Sequence, residues 1–384
     1  MRELTQEEQL AIQTVRSFVK NELAPMAKKI DEDDVFPVET VRKLGELGLM
    51  GMFVPNEWEG AGLSHYLYAL AVEEISSASA AVGTIVSAHS SLAVWPILKF
   101  GTDAQKKRLL PPMAKGEAIG CFCLTEPEAG SDAANLKTSY SKHASNGYTL
   151  SGAKAFITNA SRAKTAIVFA TKDRSLRHRG ISAFLLDMET PGVLVGKPEK
   201  KLGIHGADSC PVDFDEVFLP KECLLGNEGD GFRIAMATLD GGRIGIAAQA
   251  VGIARGAFER AAAYARTRAQ FGRPIVEFQA IGWMLADMLT KIEASRMLVL
   301  RAAELKDSGG RSTLYSSMAK LFAAETAMET ATKAVQVLGG YGYIKDYELE
   351  RFFRDAKITE IYEGSSEIQR LVLANELKKE DFAL

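Results

Sequence analysis

The amino-acid sequence predicts an α+β protein built in three consecutive parts: helices, then antiparallel β structure, then a helical bundle. Three observations carry this. Apolar residues recur at helical spacing from Thr5 to about Gly116; short apolar runs broken by turn dipeptides fill 117–230; and long Ala-rich helical patterns return from Gly231. The 384 residues allow two to three domains at about 150 residues each. Boundaries at 1–116, 117–230 and 231–384 follow from the changes in texture.

In the first part, Thr5-Gln-Glu-Glu8 has the form of a capping box and precedes apolar Leu10, Val15, Phe18 and Val19. Pro37 suits the first turn of a following helix and Gly48 its end. Thr102-Asp103 starts a short basic helix through Lys115. The longest stretch without Asp, Glu, Lys or Arg, 75–98, is long enough to span a bilayer. It contains six serines, Gly83, Thr84, His89 and Pro96, so a helix buried inside protein is expected instead. In the second part, the runs 119–124, 148–150, 165–170 and 181–186 are separated by Asn146-Gly147, Ser151-Gly152 and Pro191-Gly192, which are strand and turn signals. In the third, 278–306 stops at Ser308-Gly309-Gly310 and 312–338 stops at Gly339-Gly340. The segment 280–303 is apolar all round, which suits a bundle centre or a subunit interface.

Composition removes several function classes. Hydrophobic residues at 47% and charged residues at 25% are ordinary globular values, so disorder and collagen-like repeats are excluded. A net charge of −3 leaves no basic field for nucleic acid or an anionic membrane, and neither is expected as a partner. Four cysteines cannot form a disulfide framework and suit a reducing compartment. Residues 1–9 are acidic and lack an apolar signal core or Arg-rich transit character. A cytoplasmic location is expected, or an organelle matrix if a presequence has been removed. There is no G-x-G-x-x-G, P-loop, G-x-S-x-G or H-E-x-x-H. The five histidines (65, 89, 143, 178, 205) lack ligand spacing, so no metal is expected. Cys121 and Cys123 share one strand face; a soft-metal pair is conceivable, but core packing is the stronger reading.

Four clusters offer chemistry. The segment 122–132 is a strand running into the loop TEPEAGSD (125–132), whose N–H groups, Thr125 and Ser131 suit a phosphate or planar heterocycle. Pattern alone favours an ordinary strand-ending turn. Lys154-Ala-Phe156-Ile-Thr158-Asn159 places an aromatic and a hydroxyl two residues apart at another strand end, and alone is merely a β-branched strand. In 268–274, Arg268 and Arg273 near a helix end complement its dipole without any further role, phosphate binding being the sharper and weaker reading. In IYEGSSEIQR (361–370), Ser365 or Ser366 can cap the next helix, leaving Glu363 in the loop before it. Glu is most often a solvated surface residue; between Tyr362 and Gly364 it can instead occupy an apolar pocket as a general base with a raised pKa.

The order and spacing of these clusters resemble the acyl-CoA dehydrogenase family from about Thr5 to Lys379, most of all its short-chain (butyryl-CoA) members. The combination of the TEPEAGSD loop, the ITNA strand (157–160), the QVLGGYGY turn (336–343) and IYEGSSEIQR is specific. The resemblance implies an N-terminal helical domain, a central β domain and a C-terminal four-helix bundle, assembled as a homotetramer, a dimer of dimers. It implies FAD as cofactor, acyl-CoA as substrate and an electron-transfer flavoprotein as partner. It implies flavin contacts for Phe122, Leu124, Thr125, Gly130 and Ser131, with Phe156, Ile157 and Thr158 flanking the ring. Arg268, Phe271, Gln279 and Gln336, Val337, Leu338, Gly339 and Gly340 match positions touching a neighbouring subunit's FAD; Ser365, Ser366 and Glu367 match FAD contacts as well. Ser131, Asp240, Gly241, Gly242, Arg243 and Gly364 match thioester-binding positions. Asp240 and Arg243, three apart on a helix, also suit a simple local ion pair.

Another branch of the family places its base just before that arginine, where this chain has Gly242, so Glu363 is the implied catalytic base. Its own N–H and a flavin ribityl hydroxyl are the implied donors to the thioester carbonyl. Two departures stand out: Phe156 replaces a common tryptophan, and Glu128 a frequent glycine. A branched Ile246, one turn after Gly242, is expected to shorten the acyl cavity whose far end Ile85 and Ala88 match. The competing readings are an acyl-CoA oxidase, for which 384 residues is short, and a DNA-associated damage-response flavoprotein, for which a net charge of −3 and a retained Glu363 are wrong.

Overall fold

The capping box at Thr5 forms, with Glu8 N donating to Thr5 Oγ1 at 3.2 Å and Thr5 N to Glu8 Oε2 at 3.0 Å. In the computed structural model, which describes residues 2–379, it opens α1 (Gln6–Phe18). A π turn, Val19–Leu23, leads into α2 (Ala24–Asp33) and then α3 (Val38–Glu46). Pro37 stands at the N-cap of α3, one position before the first turn expected for it, and Gly48 follows the helix with φ +73°. The paired α4 (His65–Ala78) and α5 (Ala80–Ser87) continue through a π turn, Ala88–Val94, into α6 (Trp95–Phe100). The stretch Ala80–Phe100 is long and apolar enough to cross a membrane, and 89% of that window is enclosed by protein. A second capping box, Thr102 with Gln105, opens α7 (Asp103–Ala114).

Eight strands form one sheet: β1 (Ile119–Cys123), β2 (Ser139–His143), β3 (Gly147–Thr158), β4 (Ala163–Thr171), β5 (Ile181–Asp187), β6 (Val193–Val195), β7 (Ser209–Pro220) and β8 (Leu224–Leu225). The order is β6-β7-β3-β2-β4-β5-β8, with β1 against β4. Pairing is antiparallel apart from β1 on β4 and one β2–β4 pair, Ser139 with Thr171. The chain leaves β1 through the 125–132 loop and two further strands before reaching β4, and a crossover of that length permits parallel pairing. The remaining elements are α8 (Gly231–Thr267), the ribbon β9 (Ala269–Gln270) and β10 (Arg273–Pro274), α9 (Gln279–Asp307), α10 (Thr313–Leu338), a short α11 (Gly340–Tyr343), α12 (Leu349–Thr359) and α13 (Ser366–Glu376).

Among the described residues, three apolar cores hold these parts together. The largest joins first and last parts of the chain: Val15, Phe18, Leu44 and Ile75 pack in one cluster with Ile244, Val251, Val299 and Phe352. The helical ends therefore share one interior around α8. The sheet has apolar clusters on both faces. Ile167 and Phe169 join Ile97, Met113 and Ile234 on one side; Val168 and Ala170 join Tyr140, Phe184 and Val212 on the other. That double burial is why β4 reads as a continuous apolar run instead of an alternating one. Cys121 and Cys123 lie in the second of these clusters with sulfurs 3.9 Å apart, both fully enclosed.

Candidate active site

The loop after β1 is anchored by an ion pair that the sequence does not announce. Lys154 of β3 is 1% exposed; its Nζ donates to Glu126 Oε1 at 2.8 Å and to Leu124 O at 3.2 Å. Glu126 also accepts from the backbone N–H of Lys137 and Thr138, so one carboxylate ties together three chain segments. Lys154, Lys137 and Thr138 hold its pKa below the usual carboxylate range against the cost of burial. Ala155 N donates to Thr125 O at 2.9 Å, closing the loop onto β3.

On this base the expected flavin residues take distinct places. Phe122 is half-buried with its ring edge-on to Phe169 at 4.9 Å; Leu124 is buried and Thr125 half-buried. Gly130 and Ser131 are exposed at the loop tip, and a Cβ on Gly130 would meet nothing within 4 Å. The β3–β7 register slips between Lys154 and Ile157, and Phe156 adopts φ +58°. The bulge leaves the Phe156 ring 64% exposed, sends the Ile157 side chain into the sheet core and leaves Thr158 half-buried. Ile157 is thus positioned to offer only its backbone at this ledge. An exposed aromatic, a nearby hydroxyl and an open glycine loop fit a flat heterocycle with a polar arm.

A second group assembles between helices. A cavity of about 580 Å³ is lined by Arg268, Phe271, Gln336, Gly339 and Tyr341 among others, with Val337, Leu338 and Gly340 also on its wall. Arg268 lies over the Tyr341 ring at 5.5 Å, and Phe271 is 94% exposed. Gln279, the first residue of α9, is exposed and outside this lining. No residue of the 122–131 loop or of 156–158 lines it.

The third group surrounds Glu363. The chain turns between α12 and α13 with φ +51° at Glu363 and +93° at Gly364, and Ser365 Oγ caps α13 by accepting from Ile368 N. A left-handed glutamate is costly, so its surroundings must enforce it. The turn drives the carboxylate against α8 at Gly242, where a Cβ would overlap Oε2 and lie 2.8 Å from Leu92 Cδ2. Oε2 is fully enclosed and finds no hydrogen-bond partner among the described residues. Burial pushes this carboxyl up to about 8, against the opposing pull of Lys320 and Arg243. Beside it Arg243 is 6% exposed and donates to Asp240 at 2.8 Å, and Asp240 accepts from Thr313 Oγ1 at 2.7 Å. The local ion pair is present, within the site. Gly241 faces away, with Lys306 the nearest group at 3.8 Å. Ser366 is buried with an unpartnered Oγ among the described residues, and Glu367 is exposed, its carboxyl lowered by Ser365.

One helix stripe continues from Gly242 through Gly245 to Gln249, the i, i+3, i+7 pattern of a single face. A Cβ on Gly245 would overlap Ser87 Oγ and Tyr68 OH. Gln249, fully buried, donates to Ala80 O at 2.8 Å and Thr84 Oγ1 at 2.7 Å, while Tyr362 OH donates to its Oε1. Sequence reasoning named Ile246 on this helix, which is buried at 2% exposure, named Lys154 without giving it a role, and missed Gly245, Gln249 and Lys320. The spacing Gly242-x-x-Gly245-x-x-x-Gln249 was the available signal for two of them.

A carboxyl on a half-buried residue, with Oε2 enclosed and its pKa pushed up to about 8, makes a specific pH dependence. A base works only when ionised, so kcat/KM should fall as pH drops through about 8, by about tenfold per unit below it. Measuring kcat/KM across pH checks this; an acid limb at an ordinary carboxylate value would show that burial is not felt.

Comparison with known families and proteins places this arrangement. The chain matches the acyl-CoA dehydrogenase N-terminal domain over 5–117, the middle domain over 121–217 and the C-terminal domain over 229–378. It is 50% identical over 377 residues to the mitochondrial short-chain specific acyl-CoA dehydrogenase of Bos taurus, covering 98% of this chain and 91% of that protein. The solved butyryl-CoA dehydrogenase of Megasphaera elsdenii superposes with TM-score 0.97 at 43% identity, covering 99% of this chain and 100% of that one. A structure described as the electron transferring flavoprotein of Acidaminococcus fermentans superposes with TM-score 0.97 at 46% identity, again over 99% and 100%.

Proposed function

The chain belongs to the acyl-CoA dehydrogenase family, and from that premise we propose that it is a short-chain enzyme that oxidises acyl-CoA thioesters to trans-2-enoyl-CoA with Glu363 as base. The observation that carries this is the Glu363 carboxylate, enclosed against Gly242 with an unpartnered Oε2. Among the described residues nothing donates to that oxygen, and it is free to take the α-proton of a bound thioester. FAD, held by the 122–131 loop and by Phe156 and Thr158, would supply the acceptor for the hydride leaving the β-carbon. Ser131, Arg243 and Gly364 would orient the thioester, and the Glu363 N–H would polarise its carbonyl so that negative charge developing at the α-carbon is stabilised. Electrons would leave to an electron-transfer flavoprotein, a partner consistent with the Acidaminococcus fermentans structure. Four free cysteines suit work in a reducing cytosol or organelle matrix.

The acyl chain should be short. Gln249 stands seven residues beyond Gly242, about 10 Å along the helix, and its three hydrogen bonds would make it a fixed end wall for an acyl chain running along this face. Each further methylene gains about 0.8 kcal/mol only where there is room to bury it. Anaerobic addition of butyryl-CoA should bleach the flavin band, and kcat/KM should peak near C4 to about C6 and decline beyond. A kcat/KM still rising at dodecanoyl-CoA would overturn the short cavity, and no bleaching with any acyl-CoA would overturn the reaction. Peroxide formed at the rate of turnover would instead mark an oxidase.

A homotetramer is the expected assembly. Besides Phe271, the α9 residues Trp283, Leu289 and Met297 leave apolar side chains 65%, 46% and 44% exposed on the single chain. Sedimentation should show a tetramer with one FAD per subunit; a stable monomer with full flavin occupancy would refute it.

A further inference from the structure

Lys320 stands about a third of the way along α10 among Ser316, Ser317, Ala319, Ala323 and Ala324, small residues that leave room for a long side chain. It is fully buried, a rare state for lysine unless paired. Its Nζ donates to the carbonyl of Gly364 at 2.8 Å. The same carbonyl accepts from Nε2 of fully buried Gln369 at 2.9 Å, and that amide also reaches Glu363 O at 3.3 Å. Two side chains from different helices therefore grip the consecutive left-handed residues that carry the carboxylate to Gly242. A neutral carbonyl does not justify desolvating an ammonium, so the charge needs an anionic partner. Each element around Lys320 contributes a charged group: Glu363 from the turn, Glu360 from the end of α12, Glu367 from the start of α13, and Arg243, paired with Asp240, from α8. Glu363 is the strongest of the attractive ones, while Arg243 opposes.

We propose that Lys320 is a positioning residue for the base: with Gln369 it clamps the Glu363–Gly364 turn, and its ammonium is the buried counter-charge that keeps the Glu363 carboxylate available. The proposal rests on the reading of Glu363 as the base. Burial brings the ammonium down to about 8 and the carboxyl up to about 8, and the charge of each favours ionisation of the other. Removing the cation must therefore raise the carboxyl further, and the acid limb of the rate moves to higher pH.

The test uses the flavin-loaded enzyme and the rate of flavin reduction by butyryl-CoA as a function of pH. Lys320→Gln keeps an amide donor near Gly364 but removes the charge; Lys320→Met removes both. Both variants should shift the acid limb up by about one unit or more, lowering the rate at neutral pH about tenfold. In Lys320→Met the high-pH plateau should also fall by about tenfold or more, because the turn is no longer held, while Lys320→Gln should keep most of it. Infrared titration of the protonated Glu363 carboxyl, assigned by its loss in Glu363→Gln, should move in parallel without relying on turnover. An unshifted limb and an unshifted carboxyl titration in Lys320→Gln overturn the proposal, and Lys320→Gln decides the matter if Lys320→Met does not fold. If Glu363→Gln itself still reduces flavin, the base assignment fails; if it is inactive while the Lys320 variants titrate as wild type, only the role of Lys320 fails.

Discussion

Glu363→Gln should bind FAD and acyl-CoA yet reduce its flavin with butyryl-CoA at least ~10²–10⁴-fold more slowly, the loss typical of removing a general base. The amide keeps the size of the carboxylate, so the seat at Gly242 and the turn should persist. It cannot accept the α-proton, and the neighbouring Asp240 is already engaged by Arg243 and Thr313. Above about pH 8, where the Lys320 ammonium is also losing its proton, relieving a buried carboxyl of its charge should raise stability. The sign follows from the shift: a carboxyl raised to about 8 in the fold costs stability once pH exceeds its unfolded value near 4.5, and the amide removes that cost. Single-turnover reduction and unfolding at two pH values check both parts. A near wild-type rate in this variant would remove Glu363 from the mechanism.

Gly242→Ala should lose about 10²-fold in kcat, because the new methyl occupies the place of Oε2 and a misplacement of roughly 1 Å can cost that much. Two opposing effects act on stability. Alanine in mid-helix gains about 0.5–1 kcal/mol over glycine, whereas overpacking against Leu92 and Glu363 costs about 1–3 kcal/mol. The second is larger, so a modestly lower melting temperature should accompany the loss of rate. Gly241→Ala is the control: its nearest neighbour is the flexible end of Lys306 at 3.8 Å, so there the helix preference should prevail and stability should rise slightly. Activity of Gly242→Ala within about threefold of wild type would show that the carboxylate does not need this seat.

Both expectations combine a signal read along the chain with one that exists only in three dimensions. The three-part architecture was legible because its signals are local. The boxes at Thr5 and Thr102 satisfy helix N-termini within three residues, and turn dipeptides separate the β runs. The Glu363 motif was legible too, since its loop precedes a helix capped by Ser365, a relation spanning a few residues. Gly242 could be singled out by its order relative to Arg243, but not the reason for a glycine there.

What the fold alone decided concerns polar groups made buried by distant neighbours. Lys154, Lys320 and Gln249 read as ordinary residues of a strand and two Ala-rich helices; their partners are Glu126 at 28 positions' distance, Gly364 at 44 and Ala80 at 169. Burial of a lysine or glutamine leaves no periodic mark, because periodicity reports which face is apolar and not which polar side chain is drawn into it. The same holds for Phe156: alternation placed it with Thr158 on one face, and only the register slip against β7 explains its exposed, left-handed state and the inward turn of Ile157. Local hydrogen bonding and hydrophobic period thus determined which elements form and where the reactive turn lies. Long-range packing around α8 decided how that turn is enclosed, and with it the electrostatics on which the chemistry depends.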